Sequence, residues 1–89
     1  MKVDFRKIVV IDINGQPKEA DVSRDLGITL YMQGRDKEES ELGRAIYHIG
    51  EIEVSERSAN IIKRYANSFS YVLRKAVFEA LGDVESSNN

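Results

Sequence analysis

The chain has 89 residues, 42% hydrophobic and 31% charged, and this composition predicts one globular domain rather than a disordered segment. It contains no cysteine, which excludes disulfide bonds, thiolate metal sites and a cysteine nucleophile. The net charge of −2 gives no general attraction to nucleic acid or to anionic membranes. No secretory signal is visible and no apolar run reaches the ~18 residues of a membrane span, so we expect a cytoplasmic protein.

The chain begins with a predicted β-hairpin. Its first strand covers Phe5–Ile13, which is rich in β-branched residues, and its return strand covers Lys18–Val22. Asn14-Gly15 is a strong turn signal, but the loop could also extend to Pro17, so two registers remain open. Both registers place the same residues on one face, which we expect to be core: Val9, Ile11, Ile13, Ala20 and Val22.

A short helix is predicted next, over Arg24–Gln33. Ser23 is suited to be its N-cap and Gly34 to end it. The run Ile28–Met32 would also suit a strand, so residues 24–33 could be either helix or strand.

A second helix is predicted over Lys37–His48. Asp36 is its expected N-cap, and acidic residues fill its first turn, as the helix dipole favours. Gly50 should end it. The strict alternation in Glu51–Val54 then predicts a short third strand.

The last predicted element is a long helix from Glu56 to Leu81, capped by Ser55 and closed by Gly82. One of its faces carries apolar residues at alternating steps of four and three, which predicts contact with the core. This stripe consists of Ile62, Ala66, Phe69, Leu73, Ala76 and Ala80.

These elements predict a single α+β domain over residues 1–82. It consists of an N-terminal β-hairpin, two short helices, a short third strand and a long C-terminal helix packed on the sheet. A three-stranded sheet covered by that helix is the simplest packing. Residues 83–89 are polar and are predicted to form a disordered tail.

The long helix also carries aromatic residues opposite its core stripe. Tyr71 and Phe78 are seven residues apart and therefore nearly superimposed on the helix surface. They could meet a second copy of the chain across a two-fold axis, with Asn67 and Arg74 continuing the seam. Alternatively, another part of this chain could cover them, for instance the region of Tyr31-Met32.

Basic residues on the same helix give a third possibility. The segment from 56 to 81 has a net charge of +3, from five cations and two acids, which leaves −5 for the rest of the chain. Phosphate could bind the cations while the aromatic rings stack on bases. The candidate contacts are Lys63, Arg64, Arg74 and Lys75.

No residue pattern predicts catalysis or a metal. His48 is the single histidine and lies in the last turn of a predicted helix, where the helix dipole favours a positive charge. Four acids cluster at Asp36, Glu38, Glu39 and Glu41, but their spacing matches no calcium loop and fits a solvated helix start. We therefore expect no enzyme activity, no metal site and no cofactor.

The overall layout resembles small proteins of bacterial prophages and mobile elements. The resemblance is carried by Val22-Ser23, Leu26-Gly27, Ala45-Ile46-Tyr47 and Gly50-Glu51-Ile52-Glu53-Val54, followed by a capped helix. It covers nearly the whole chain without a diagnostic motif. It implies a bacterial cytoplasmic or virion-associated setting and no particular activity.

The leading hypothesis is a non-enzymatic interaction or assembly module that forms a homodimer or larger homo-oligomer through its long helix. The alternative is a small nucleic-acid-binding accessory protein that uses the same helix. An unidentified protein partner is also possible, whereas nucleic acid binding is unexpected and membrane binding is not predicted.

Overall fold

The predicted α+β class is confirmed by a computed structural model that describes residues 1–82. The predicted tail, 83–89, lies outside the described residues. The helices and strands follow in the order β1 (Lys2–Asp4), β2 (Ile8–Ile11), β3 (Pro17–Ala20), α1 (Ser23–Gln33), α2 (Lys37–Ile49), β4 (Glu51–Glu53), α3 (Glu56–Ala66) and α4 (Tyr71–Ala80).

The strands form two antiparallel pairs rather than the predicted three-stranded sheet: β1 pairs with β4, and β2 pairs with β3. The predicted first strand, Phe5–Ile13, is shortened to β2, because residues 5–7 lie in a turn that begins at Asp4, and the residues before this turn form β1, which was not predicted. The Asp4 carboxylate accepts the Arg6 amide at 3.0 Å, and the Lys7 amide donates to the Asp4 carbonyl at 3.1 Å. The turn separates β1 from β2, so that β1 is free to pair with β4.

The hairpin has neither predicted register. Its predicted core face is wrong at Val9, Ile11 and Ile13, which are exposed, whereas Val22 is buried as predicted and Ala20 is half-buried. Ile8 pairs with Ala20 and is buried, whereas Val9 and Ile11 are exposed. The loop sets this register, because Asp12 Oδ1 accepts the amides of residues 14 and 16, each at 2.9 Å. Gly15 completes the loop with a φ of 78°, a left-handed conformation suited to glycine. A register that differs by one residue exchanges the two faces of a strand.

The predicted long helix is wrong as well, because it is divided into α3 and α4 by residues 67–70. In a continuous helix the Tyr65 carbonyl would accept the amide of Phe69. Instead the Ser68 hydroxyl donates to that carbonyl at 2.9 Å, and the Phe69 amide donates to Ala66 at 3.0 Å. Serine side chains compete for backbone groups in this way, which disfavours a helix interior.

Residues 24–33 are helical, and several predicted helix ends are confirmed. Asp36 accepts the Glu39 amide at the start of α2, Ser55 caps α3, and Gly50 ends α2 with a φ of 83°. The predicted cap of α1 is wrong, because Ser23 is itself the first residue of the helix. The Asp21 carboxylate accepts both its amide, at 2.9 Å, and its hydroxyl, at 2.6 Å.

Helices α1 and α2 are in backbone contact at two glycines. A β-carbon at Gly43 would lie 2.6 Å from the Gly27 carbonyl oxygen, and one at Gly27 would lie 2.8 Å from the Gly43 carbonyl oxygen. No side chain fits at either of these two positions, so only glycine permits this approach.

The core lies between the helices and the inner side of the hairpin. Its fully buried large side chains are Phe5, Ile8, Leu26, Leu30, Ile46, Ile62 and Val77. The predicted stripe is confirmed in part, since Ile62, Ala66 and Ala76 are buried while Phe69, Leu73 and Ala80 are half-buried. Within residues 1–82, no helix combines the length and the apolar character needed to cross a membrane.

The helix contact predicts the effect of Gly43→Ala. The added methyl would overlap backbone atoms of α1, and overpacking of this kind costs ~1–3 kcal/mol of unfolding free energy. Urea denaturation measures the loss. The neighbouring exposed Arg44→Ala is the control, expected to change stability little. Because alanine favours helices over glycine by about 1 kcal/mol, a stabilised Gly43→Ala protein would show that the helices are not in contact there.

Candidate interaction surfaces

A buried carboxylate, Glu39, joins three parts of the fold. Its oxygens accept the Arg35 amide at 2.9 Å, an Arg64 guanidinium nitrogen at 2.8 Å and the Tyr65 hydroxyl. Arg35 belongs to the α1–α2 connection, whereas Arg64 and Tyr65 belong to α3. Glu39 therefore connects α3 to the α1–α2 pair. The prediction that Glu39 belongs to a solvated helix start is wrong. The other three acids of that cluster are exposed as expected.

These hydrogen bonds stabilise the ionised form of Glu39. The Arg35 amide contributes most, followed by the Tyr65 hydroxyl and Arg64, and together they lower the pKa of the Glu39 carboxyl to about 2. The same contact raises the pKa of Tyr65, because its hydroxyl proton is held by the carboxylate. With its donors in place, the ionised Glu39 connects α2 to α3 and to the α1–α2 connection.

The lowered pKa predicts a loss of stability in acid. The stabilisation from Glu39 is present above its ordinary pKa of 4.5 and is lost as the pH falls through about 2. The free energy of unfolding should therefore fall more steeply with acid in the wild type than in Glu39→Gln. Urea denaturation from about pH 7 to about pH 2 tests this. Glu19→Gln, at an exposed position of β3, should follow the wild type, and parallel curves for all three proteins would contradict the assignment.

The predicted interface residues do not form one seam. Tyr71 is 65% exposed at the start of α4, but Phe78 is half-buried against this chain's own core. Asn67 is exposed in the connection after α3 rather than on a continuous helix. Arg74 is half-buried, and its guanidinium lies 5.6 Å from the centre of the Tyr71 ring within the same chain.

Tyr71 instead belongs to a surface shared with the hairpin. Val72 is exposed beside it, and Val9 and Ile11 are exposed on the outer side of β2. With Lys75, Ala76 and Glu79 these residues line a shallow cavity of about 230 Å³. We call this the β2–α4 surface. This surface was not predicted from the sequence, because the predicted register placed Val9 and Ile11 in the core.

A second apolar surface lies on the outer side of the helix pair. Its exposed side chains are Ile28, Tyr31 and Met32 of α1 and Tyr47 of α2. Together with Gly27, Arg44 and His48 they line a groove of about 420 Å³, which we call the α1–α2 surface. Its signal in the sequence is the presence of apolar residues on two sides of one helix, a pattern first attributed to the C-terminal helix.

Three of the four predicted nucleic-acid contacts are engaged within the chain. Arg64 is bound to Glu39, Arg74 lies over the Tyr71 ring, and the Lys63 amine is 5.9 Å from the centre of the Phe78 ring. Lys75 is exposed on the β2–α4 surface. His48 is exposed, and its ring centre is 5.0 Å from that of Tyr47. In residues 1–82, no three His, Asp or Glu side chains form a group that could hold a metal ion.

Comparison of the chain with models of known protein families, with curated proteins and with solved structures found no significant match. Within residues 1–82, the two apolar surfaces are features typical of protein interaction sites.

The contacts of the basic residues predict weak or absent binding to nucleic acid. We expect no salt-sensitive change in the fluorescence anisotropy of labelled single- or double-stranded DNA at micromolar protein, because binding through phosphates needs several available cations. A signal at about 50 mM salt that disappears at about 200 mM, and is reduced in Lys75→Glu, would favour a nucleic-acid-binding protein instead.

Proposed function

We propose that the protein is a non-enzymatic assembly module that associates with a second copy of itself through the β2–α4 surface. The observation that carries this proposal is the exposure of Tyr71 and Val72 directly beside Val9 and Ile11. A small domain has little apolar surface to spare for water, because its core is thin. Four neighbouring apolar side chains left exposed are typical of an interface.

The charges at this surface favour a second copy over a different partner. Lys75 and Glu79 lie among the residues that line it, one of each sign. A two-fold contact repeats the same patch on both sides, so the lysine of each copy can meet the glutamate of the other. The surface is in this sense complementary to itself.

The size of the surface sets the strength of the association. A two-fold dimer would cover eight side chains, each already about half-buried, for roughly 1 kcal/mol each. Association itself costs about 4–15 kcal/mol. The two terms are of the same order, so we expect a weak dimer that depends on protein concentration.

Arg74 has a role within this arrangement. Its guanidinium over the Tyr71 ring restricts the ring before association, which reduces the entropy lost on binding. The expected contact of Arg74 across the two-fold axis is replaced in this proposal by a contact within each copy. We retain the expected bacterial, cytoplasmic setting as part of the proposal.

Sedimentation equilibrium over a wide concentration range tests the assembly. The wild-type mass should rise from that of one chain towards that of two, whereas Tyr71→Ser/Val72→Ser should remain a folded monomer with an unchanged circular dichroism spectrum. Ile28→Ser/Tyr31→Ser is the matched control, because it removes the same number of exposed apolar side chains from the other surface. A wild type that stays monomeric, or a dimer lost only in the control, would refute the proposal.

A further inference from the structure

The α1–α2 surface is distinct from the proposed dimer surface, and α1 is apolar on two sides. Leu26 and Leu30 face inward and are fully buried. Ile28, Tyr31 and Met32 face outward and are 47%, 50% and 72% exposed. A helix at the surface of a domain normally carries one apolar stripe towards the core, so a second group of exposed apolar side chains indicates a second contact. Within the described residues only the inner side of α1 is covered.

The glycine contact turns the two outer helix sides into one continuous groove. Because Gly27 and Gly43 hold the helix backbones together, the outward side chains of α1 lie beside Tyr47 of α2. The groove combines aromatic, methionine and arginine side chains, which are enriched in protein interfaces. The groove has a volume of about 420 Å³ and its lining side chains are largely open to solvent. An amphipathic helix can lie in such a groove between two packed helices with its apolar side chains inward.

The charges that line the groove indicate the charge of the partner helix that it would bind. Arg44 and His48 line it, and among the described residues no carboxylate does. Arg44 is only loosely held, since its guanidinium nitrogen lies 3.9 Å from Glu41. A second copy placed here by a two-fold axis would bring together two linings that each carry Arg44 and no carboxylate. An incoming carboxylate would instead gain a charge-assisted hydrogen bond from arginine.

We propose that the α1–α2 surface binds an acidic amphipathic helix of another protein, with apolar anchors on Ile28, Tyr31 and Met32 and carboxylates at Arg44 and His48. A helix of about 14 residues, ~21 Å long, would extend along the whole of α2, which has 13 residues. The protein would then join copies of itself through one surface and hold a partner on the other.

A pair of designed peptides tests this surface directly. Both are fluorescently labelled amphipathic helices of about 16 residues with leucines at helical spacing on one face, and the other face carries glutamates in one peptide and lysines in the other. The receptor is the complete chain carrying Tyr71→Ser/Val72→Ser, so that the result does not depend on self-association. We expect the glutamate peptide to bind at least about tenfold more tightly than the lysine peptide in fluorescence anisotropy.

Two further variants, each made in the chain that already carries Tyr71→Ser/Val72→Ser, test whether the peptide binds at the α1–α2 surface. Tyr31→Ser/Met32→Ser should weaken the binding of the glutamate peptide by at least about tenfold. Arg44→Glu should reverse the preference, so that the lysine peptide binds more tightly than the glutamate peptide. Lys18→Glu, an equal charge change on β3, is the control and should leave the preference unchanged. Absence of peptide binding, equal binding of both peptides, or a preference unaffected by Arg44→Glu would overturn the proposal. Concentration-dependent self-association that is abolished by Tyr31→Ser/Met32→Ser would assign the groove to a second copy and overturn it as well.

Discussion

The backbone contact between Gly27 and Gly43 sets the geometry on which the rest of the fold depends. It brings α1 and α2 closer than a side chain at either of these two positions would allow. Leucine side chains of α1 then point into the core from one side of the pair, and Ile28 and Tyr31 point away on the other. A pair this thin has no interior of its own, so it must be covered on one side by the other elements and leaves its second side to solvent.

Glu39 connects this pair to the following helix. Its carboxylate collects donors from the α1–α2 connection and from α3, so the orientation of α3 is fixed by hydrogen bonds as well as by apolar packing. Hydrogen bonds to an ionised group are stronger than those between neutral groups, and they demand specific geometry. The small domain thus supplements a thin apolar core with one polar contact that is largely shielded from water.

The sequence indicated the elements better than their arrangement. Asp36, Gly50 and Ser55 mark helix ends by local hydrogen bonds and backbone conformation, and such signals depend on few neighbours. The hairpin register and the helix break were mispredicted because Asp12 and Ser68 bind backbone groups that regular structure would otherwise use. These side-chain hydrogen bonds are similar in strength to the backbone hydrogen bonds of a continued helix or strand. The periodicity of apolar residues therefore does not show which of the two forms.

The same two errors explain why the predicted interface residues differ from the surfaces that the structure shows. Once the register differed by one residue, Val9 and Ile11 moved from the predicted core to a surface beside Tyr71. The helix break removed Asn67 from the predicted seam. Tyr71 was correctly placed on the outside, since it lies opposite the buried face of its helix whether or not that helix is continuous. The acid cluster concealed Glu39, because burial of one carboxylate among four depends on partners distant in sequence.

The interruption at residues 67–70 also makes α4 dependent on the hairpin. With 10 residues, α4 is shorter than the ~12–15 residues at which an isolated helix becomes even marginally stable in water. Its helical form therefore requires docking against β2 rather than extension from α3. Tyr71 and Val72 stand next to Val9 and Ile11 only after that docking. A chain whose hairpin is unfolded consequently has no β2–α4 surface. Association through this surface would therefore include only fully folded copies of the chain.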